Sequence, residues 1–277
     1  MKIARCSDGK RSFWALIVEA DGTASELEGP FSRWALDAAV GTEPRSVRTH
    51  DLAPLRLLAP VEPGAKLLAL GATYQRHVEG LGLTMAEQPA GFFKTPRSIV
   101  GPGDEIAYPR ITEQLDYEVE LVVVAAGPRD PRSGEVPVLG YTVGNDVSAR
   151  DLQFRGVNTM DLFSSKVLDD TSPMGPWIVT ADEVRDPMDL ELRLEVNGEV
   201  RQADRTSSMA WTVTELLAFA DSRTSLEAGD TLFTGTPAGV GYETGRYLQP
   251  GDLVEATVVS IGTLRNMVGP REGALSQ

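Results

Sequence analysis

The 277-residue chain contains a single cysteine, Cys6, and only two histidines, His50 and His77. One cysteine excludes an internal disulfide and any cysteine-rich zinc site. Cys6 therefore reads as a small buried apolar residue rather than a reactive thiol. Positive charge is also scarce. Lys and Arg number 26 against 40 Asp and Glu, giving a formal net charge of −14. Binding to nucleic acid rests on Lys and Arg at phosphates, and docking on anionic membranes needs basic clusters, so neither partner is expected. An anionic ligand would have to find its own local positive charge. No apolar run approaches the ~20 residues needed to span a bilayer. The segment MKIARCSDGKRS at the start lacks the apolar core of a signal peptide, so a cytoplasmic protein is expected. There is no dinucleotide fingerprint. The glycine-rich TGTPAGVG (234–241) lacks the Gly-Lys-Ser/Thr ending of a phosphate loop.

What the chain does have is short strand patterns. KIARCS and SFWALIVEA open it, with Asp21-Gly22 as a hairpin turn, and RWALDAAVG (33–41) reads as a short helix stopped by Gly41. LAPVEPGAK (58–66) carries two prolines and a glycine and marks a boundary. The expected division is a small N-terminal module at 1–58, a main domain at 59–270 and a tail at 271–277. In the main domain KLLALG, EIAYP, VELVVVAA, VLGYTVG, LELRLEVNG, TLFTG and LVEATVVSIGTL read as strands. Gly103-Asp104, Gly229-Asp230 and Gly251-Asp252 each precede an apolar run and read as turns. The clearest helix is 212–221, where Thr212 and Glu215 make a capping-box signature. The class is α+β, dominated by strands, with no βαβ rhythm.

One strand is chemically unusual. In DYEVELVVVAA (116–126), Glu118 and Glu120 are two residues apart. Side chains on a strand alternate, so both point to one face, roughly 7 Å apart along the strand. Glu-X-Glu on a half-exposed sheet is ordinarily a wet face. Here the apolar run continues unbroken, which indicates burial on both faces. Two buried carboxylates repel each other and lose solvation, and a divalent cation between them removes both costs. A third acid, Asp146, follows the next strand in VLGYTVGNDVSARDLQ (138–153). Oxygen-only ligands suit Mg²⁺ or a similar hard cation.

These segments are similar to the fumarylacetoacetate hydrolase family. The resemblance runs from about Lys66 to Val268 and rests on FFKTPRSIVGPGDEI (92–106), DYEVEL, GYTVGNDVSARDLQ, SSKVLDDTSPMGPWIVTADE (164–183), VNGEVRQ (196–202) and TGTPAGVG, in that order. It implies a compact mixed β-roll with a small N-terminal domain, usually dimeric. It also implies Mg²⁺ or Mn²⁺ held by Glu118, Glu120 and Asp146. In the family a catalytic His follows the first strand of this region, in wording close to Asn-Tyr-X-X-His-X-Glu-Glu. The carry-over lands on His77, with Glu79 as its partner acid. Here Ala72-Thr73 precede Tyr74, and Gly80 takes the place of the second Glu. His50, in RTHDLAP, reads as a solvated residue of a connecting stretch.

Lys94 and Lys166 are the lysines expected to contact substrate oxygens, with Lys166 stabilising charge in the reaction. Each could instead be a surface lysine resting on apolar neighbours. Arg150 and Gln153 are candidate substrate ligands, and Arg150 could equally be a buried ion-pair partner of the acids. Thr236 is placed to offer its hydroxyl or backbone N–H to a substrate carboxylate. The implied activity is hydrolytic cleavage of a C–C bond in a small anionic 2-oxo acid of the acylpyruvate or β-diketo type. Decarboxylation of an oxaloacetate-like acid, or isomerisation of a 2-hydroxyhepta-2,4-diene-1,7-dioate, would use the same site. A non-catalytic metal- and 2-oxo-acid-binding protein is the remaining alternative. Residues 78–91 read as a lid over bound substrate.

Overall fold

Short apolar strands separated by Gly, Pro and Asp turns leave little chain for long helices, and the molecule is built on sheets accordingly. The computed structural model describes residues 1–155, 160–271 and 273. A twelve-stranded mixed sheet runs from Ser46–Asp51 at one edge to Ala90–Phe93 at the other. Its middle is the series Lys2–Ser7, Ser172–Thr180, Val138–Asn145, Val119–Ala125, Thr231–Phe233 and Leu67–Gly71. Most neighbours are antiparallel, but Thr231–Phe233 and Leu67–Gly71 pair in parallel. A five-stranded sheet, Glu199–Arg205, Glu191–Val196, Leu253–Val258, Gly262–Arg271 and Ile106–Tyr108, packs across the first. The class is α+β and strand-dominated, as expected. Among the described residues no helix is long and apolar enough to cross a membrane.

The N-terminal strands are part of the large sheet. Ile3 pairs with Ile178, and Trp14, Phe31 and Trp34 pack in one cluster with Val122, Val124 and Phe233 from the main domain. The helix there is Phe31–Ala39, with Gly41 beyond it at φ 80°. The other long helix, Val213–Asp221, has the full capping box between Thr212 and Glu215. The three Gly-Asp pairs are turns: their glycines have φ between 77° and 91°, and each Asp carboxylate accepts a nearby backbone N–H. Of the tail, 272 and 274–277 lie outside the described residues.

Three local readings change. LVEATVVSIGTL is two strands, Leu253–Val258 and Gly262–Arg271, separated by a turn with Ser260 at φ 73°. His50 sits within the strand Ser46–Asp51, stacked on Phe13 with ring centroids 4.8 Å apart and 3.1 Å from Glu26, so it is half-buried and paired. Ser172–Thr180, a central strand, hides its pattern behind Pro173 and Pro176. Cys6 is fully buried, and burial pushes its thiol up to about 12.

The register of two strands sets the site. Val119 pairs with Asn145 and Glu120 with Gly144. Glu118 and Asp146 therefore leave adjacent strands at the same end. The Asp146 N–H donates to the Glu118 carbonyl at 2.9 Å, and the Glu118 N–H donates to the Asn145 side chain at 2.9 Å. Gly144 lies opposite Glu120 because nothing larger fits. A Cβ there would stand 2.4 Å from the Phe233 ring and 2.6 Å from Val122. Gly144→Ala is expected to lower stability by about 1–3 kcal/mol, the usual cost of overpacking. Equilibrium denaturation checks this, and an unchanged midpoint would contradict the packing account.

Candidate active site

Glu118, Glu120 and Asp146 converge at this strand end, each buried, with ligand atoms within 4.8 Å of one another. Three carboxylates cannot share a dry site uncompensated. The chain supplies three cations. Lys166 Nζ donates to Glu118 at 2.6 Å and to Asp146 at 2.9 Å. Lys94 Nζ donates to Asp146 and, at 2.8 Å, to the Lys166 carbonyl. Arg150 donates from Nη2 to Glu118, from Nε to Asp116 at 2.7 Å and from Nη1 to Gln153 at 2.7 Å.

The remaining two oxygens of Glu120 fare differently. The Gly235 N–H donates to Oε2 at 2.7 Å, and no side-chain cation is bonded to this carboxylate among the described residues. Burial, with Asp146 and Glu118 beside it, holds the Glu120 carboxyl well above the ordinary range. Glu118 moves the other way: burial would raise it, but Lys166 and Arg150 outweigh burial and lower it. Burial lowers Lys94, whereas on Lys166 the charges of Asp146 and Glu118 overcome burial and raise it. A carboxyl with no cation of its own, beside two other carboxylates, belongs to the donor set a hard divalent cation takes, and such an ion would favour its ionised form. The residues present fit such an ion.

Glu120 is held as well by the loop beyond Thr231–Phe233, through the Gly235 N–H. Gly235, at φ 94°, has no room for a Cβ, which would fall 1.9 Å from Thr73 Oγ1. Thr73 in turn donates to the Thr234 carbonyl at 2.7 Å. Thr236 lines the cavity, but its hydroxyl donates to the Val119 carbonyl at 2.9 Å and accepts from Gln202 at 2.8 Å. The hydroxyl is thus committed to partners within the protein. Gln202, on the second sheet, also accepts from the Val119 N–H at 2.9 Å, tying the acid strand to the loop.

His77 lies on the short helix Gln75–Gly80 that follows Leu67–Gly71, and it lines the same cavity as the three acids. Its Nδ1 lies 2.8 Å from Oε1 of Glu243. A carboxylate only accepts, so Nδ1 carries the proton and the Nε2 lone pair is left available. Glu243 is fixed by the Gly239 N–H at 2.7 Å. The turn bearing it, Gly241–Thr244, is anchored by Asp116, which accepts from the N–H groups of Gly241 at 2.6 Å and Tyr242 at 2.9 Å.

Glu79 does not take the expected place. It is exposed and accepts from Gln75 at 2.8 Å, one turn back on the outer face of the helix. Positions i and i+2 on a helix face apart, and His77 looks inward. Gly80 shows how Glu243 substitutes: a Cβ at 80 would stand 2.6 Å from Glu243 Cδ. The absence of a side chain there makes room for an acid brought in from a distant loop.

The other four candidates divide between the cavity and its surroundings. Arg150 is an internal ion-pair partner, with all three of its nitrogens committed to protein acceptors. Lys94 lies behind Asp146, and Lys166 is the lysine that reaches the cavity. Gln153 lines the cavity while accepting from Arg150. The segment 78–91 passes from the helix through Leu81 and Leu83 to the strand Ala90–Phe93, and Leu81, Leu83 and Ala90 line the cavity. The cavity has a volume of about 70 Å³.

Residues 66–269 match the family described as fumarylacetoacetate (FAA) hydrolase C-terminal. The chain is 37% identical over 229 residues to oxaloacetate tautomerase of Bacillus subtilis, covering 79% of this chain and 75% of that protein. It is 36% identical over 262 residues to 2,4-didehydro-3-deoxy-L-rhamnonate hydrolase of a Sphingomonas species, covering 91% and 90%. The solved structure of 2-hydroxyhepta-2,4-diene-1,7-dioate isomerase from Mycobacterium marinum superposes with a TM-score of 0.79 at 35% identity, covering 99% of each chain.

The donor set makes a direct prediction. Metal-free protein is expected to bind one Mn²⁺ or Mg²⁺ per chain by calorimetry. Glu118→Ala and Asp146→Ala should each weaken it by more than about 100-fold, since even outer-sphere changes cost 10–100-fold. Equal binding by either folded variant would refute the site.

Proposed function

The chain belongs to the fumarylacetoacetate hydrolase family, and from that premise we propose that it is a Mg²⁺- or Mn²⁺-dependent hydrolase of an acylpyruvate-type 2-oxo acid. The observation that carries this reading is the His77–Glu243 pair facing the cavity of the three acids. A site that only enolises or decarboxylates its substrate has no need to activate water. An imidazole backed by a half-buried carboxylate is the arrangement that does so near neutral pH.

Glu118, Glu120 and Asp146 would hold the cation, which when bound supplies Lewis-acid polarisation of the substrate's oxygens. The chain's own residues do the rest. His77 Nε2 takes a proton from water as the water oxygen attacks the distal carbonyl carbon. Glu243 holds the imidazole in the required tautomer and stabilises the imidazolium. The bond between that carbon and the neighbouring methylene then breaks. Its electron pair passes into the 2-oxo acid fragment as an enolate, near the Lys166 ammonium. The imidazolium returns the proton, giving pyruvate and a carboxylic acid. The acids of the site keep Lys166 charged against the pull of burial, and Lys94 fixes Asp146 from behind.

Keto–enol conversion of oxaloacetate is the second reading, favoured by the name of the Bacillus subtilis relative. It needs proton transfer but no attacking water. We expect a homodimer in the cytoplasm, as the family resemblance implies.

His77→Ala is expected to lower kcat for acylpyruvate cleavage by about 10²–10⁴-fold, the usual contribution of a general base. Glu243→Gln should lower it by about 10–100-fold, as for a residue that orients another. Glu79→Gln should leave it near wild type. Loss with Glu79→Gln but not with Glu243→Gln would overturn the assignment of the pair. Any decarboxylation of oxaloacetate should survive His77→Ala largely intact. If acylpyruvates are inert and oxaloacetate is converted well, the second reading holds and the hydrolase reading falls.

A further inference from the structure

The cavity's charged and apolar linings are unequal in what they leave free. The cations that reach it, Lys166 and Arg150, are already bonded to acids of the chain, as is Lys94 behind them. Beyond the acids, His77, Gln153 and Thr236 are the polar side chains of the wall, and Val78, Leu81, Leu83, Phe92, Met160 and Leu162 make its apolar part. Among the described residues, no cation of the wall is left to receive a second anionic group. The bonded cluster itself holds four acids, Asp116, Glu118, Glu120 and Asp146, against three cations, Lys94, Lys166 and Arg150. Fully ionised, these seven groups sum to −1, and a divalent cation brings the sum to +1. One substrate carboxylate balances that charge and a second exceeds it. Glu243, bonded to His77, adds only further negative charge.

We propose that the substrate is a 2-oxo acid with a single carboxylate and an uncharged, largely apolar distal group, and that Leu83, Met160 and Leu162 select against a distal carboxylate. The proposal rests on the 2-oxo-acid reading of the site and names the class of acid within it. Its physical basis is desolvation. A second carboxylate beside these side chains would give up part of its water and meet no lysine or arginine to replace it, a cost that the few contacts its methylenes make do not offset. An uncharged tail of the same length buries apolar surface at no such cost. Leu83 is 41% exposed and lies on the segment between the helix of His77 and the strand Ala90–Phe93, so its outer end reaches solvent. An arginine there could carry its guanidinium at the cavity mouth without being buried.

The test pairs two five-carbon 2-oxo acids that differ only at the far end. Binding of 2-oxopentanoate and of 2-oxoglutarate to the Mn²⁺-loaded protein is measured by calorimetry, neither compound being a cleavable diketone. 2-Oxopentanoate is expected to bind at least about tenfold more tightly, the low end of what one mismatched group costs in an apolar pocket. Leu83→Arg should move the ratio at least about tenfold toward 2-oxoglutarate. The same order should appear in kcat/KM for 2,4-dioxohexanoate against a 2,4-dioxo acid ending in carboxylate. Equal or tighter binding of 2-oxoglutarate by the wild type would overturn the inference and leave the 2-oxo-acid reading standing. Binding of neither compound, with Mn²⁺ shown to be bound, would overturn both.

Discussion

The site depends on one ionic cluster in a dry interior. Arg150 and Asp116 are as buried as any leucine of the core, and their bond joins the two halves of the chemistry. On one side Arg150 holds Glu118 among the metal-binding candidates. On the other Asp116 anchors the turn that carries Glu243, which holds His77. Removing one member of a buried pair typically costs about 3–5 kcal/mol, because the survivor is left charged and unsolvated. His77 and the acids therefore cannot shift independently. Their relative position is set by backbone N–H groups and buried carboxylates rather than by flexible surface side chains.

The sheets explain why such a cluster can form. Three strand ends meet at it, and two of them, Val119–Ala125 and Val138–Asn145, lie in register in the middle of the large sheet. Both faces are covered, so the acids stand in low dielectric and their interactions are strong in either direction. The second sheet contributes through Gln202, whose amide joins the Val119 N–H to Thr236 and Pro237. The loop that gives Glu120 its N–H donor is fixed from two layers at once. The metal-binding candidates thus stand at the ends of rigid strands, and the Leu81–Pro89 stretch beside the cavity lies outside regular structure.

Much of this was legible in the residues. The alternation of a strand put Glu118 and Glu120 on one face, and the unbroken valines after them marked burial. Asp146 followed from its place at the next strand's end. The capping box of 212–221 was written in Thr212 and Glu215. Glu243 was not legible, because it lies 166 residues from His77 and on a four-residue helical turn with no periodic pattern. The signal was indirect: a glycine at 80 where a second acid was anticipated meant that something else filled the space. Thr236 and Arg150 were found as site residues, but sequence does not reveal which of a side chain's bonds are already taken. The prolines of Ser172–Thr180 concealed a central strand, since proline within a run ordinarily argues for an edge.

The central claim is that one divalent cation sits among Glu118, Glu120 and Asp146 with His77 facing what it binds. A crystal structure of the protein grown with Mn²⁺ and oxalate, with anomalous scattering recorded at the manganese edge, tests it most directly. The account predicts one anomalous peak bonded to all three carboxylates, with oxalate oxygens completing the coordination and the His77–Glu243 bond intact. A peak elsewhere, or oxalate bound away from the three acids, would contradict it.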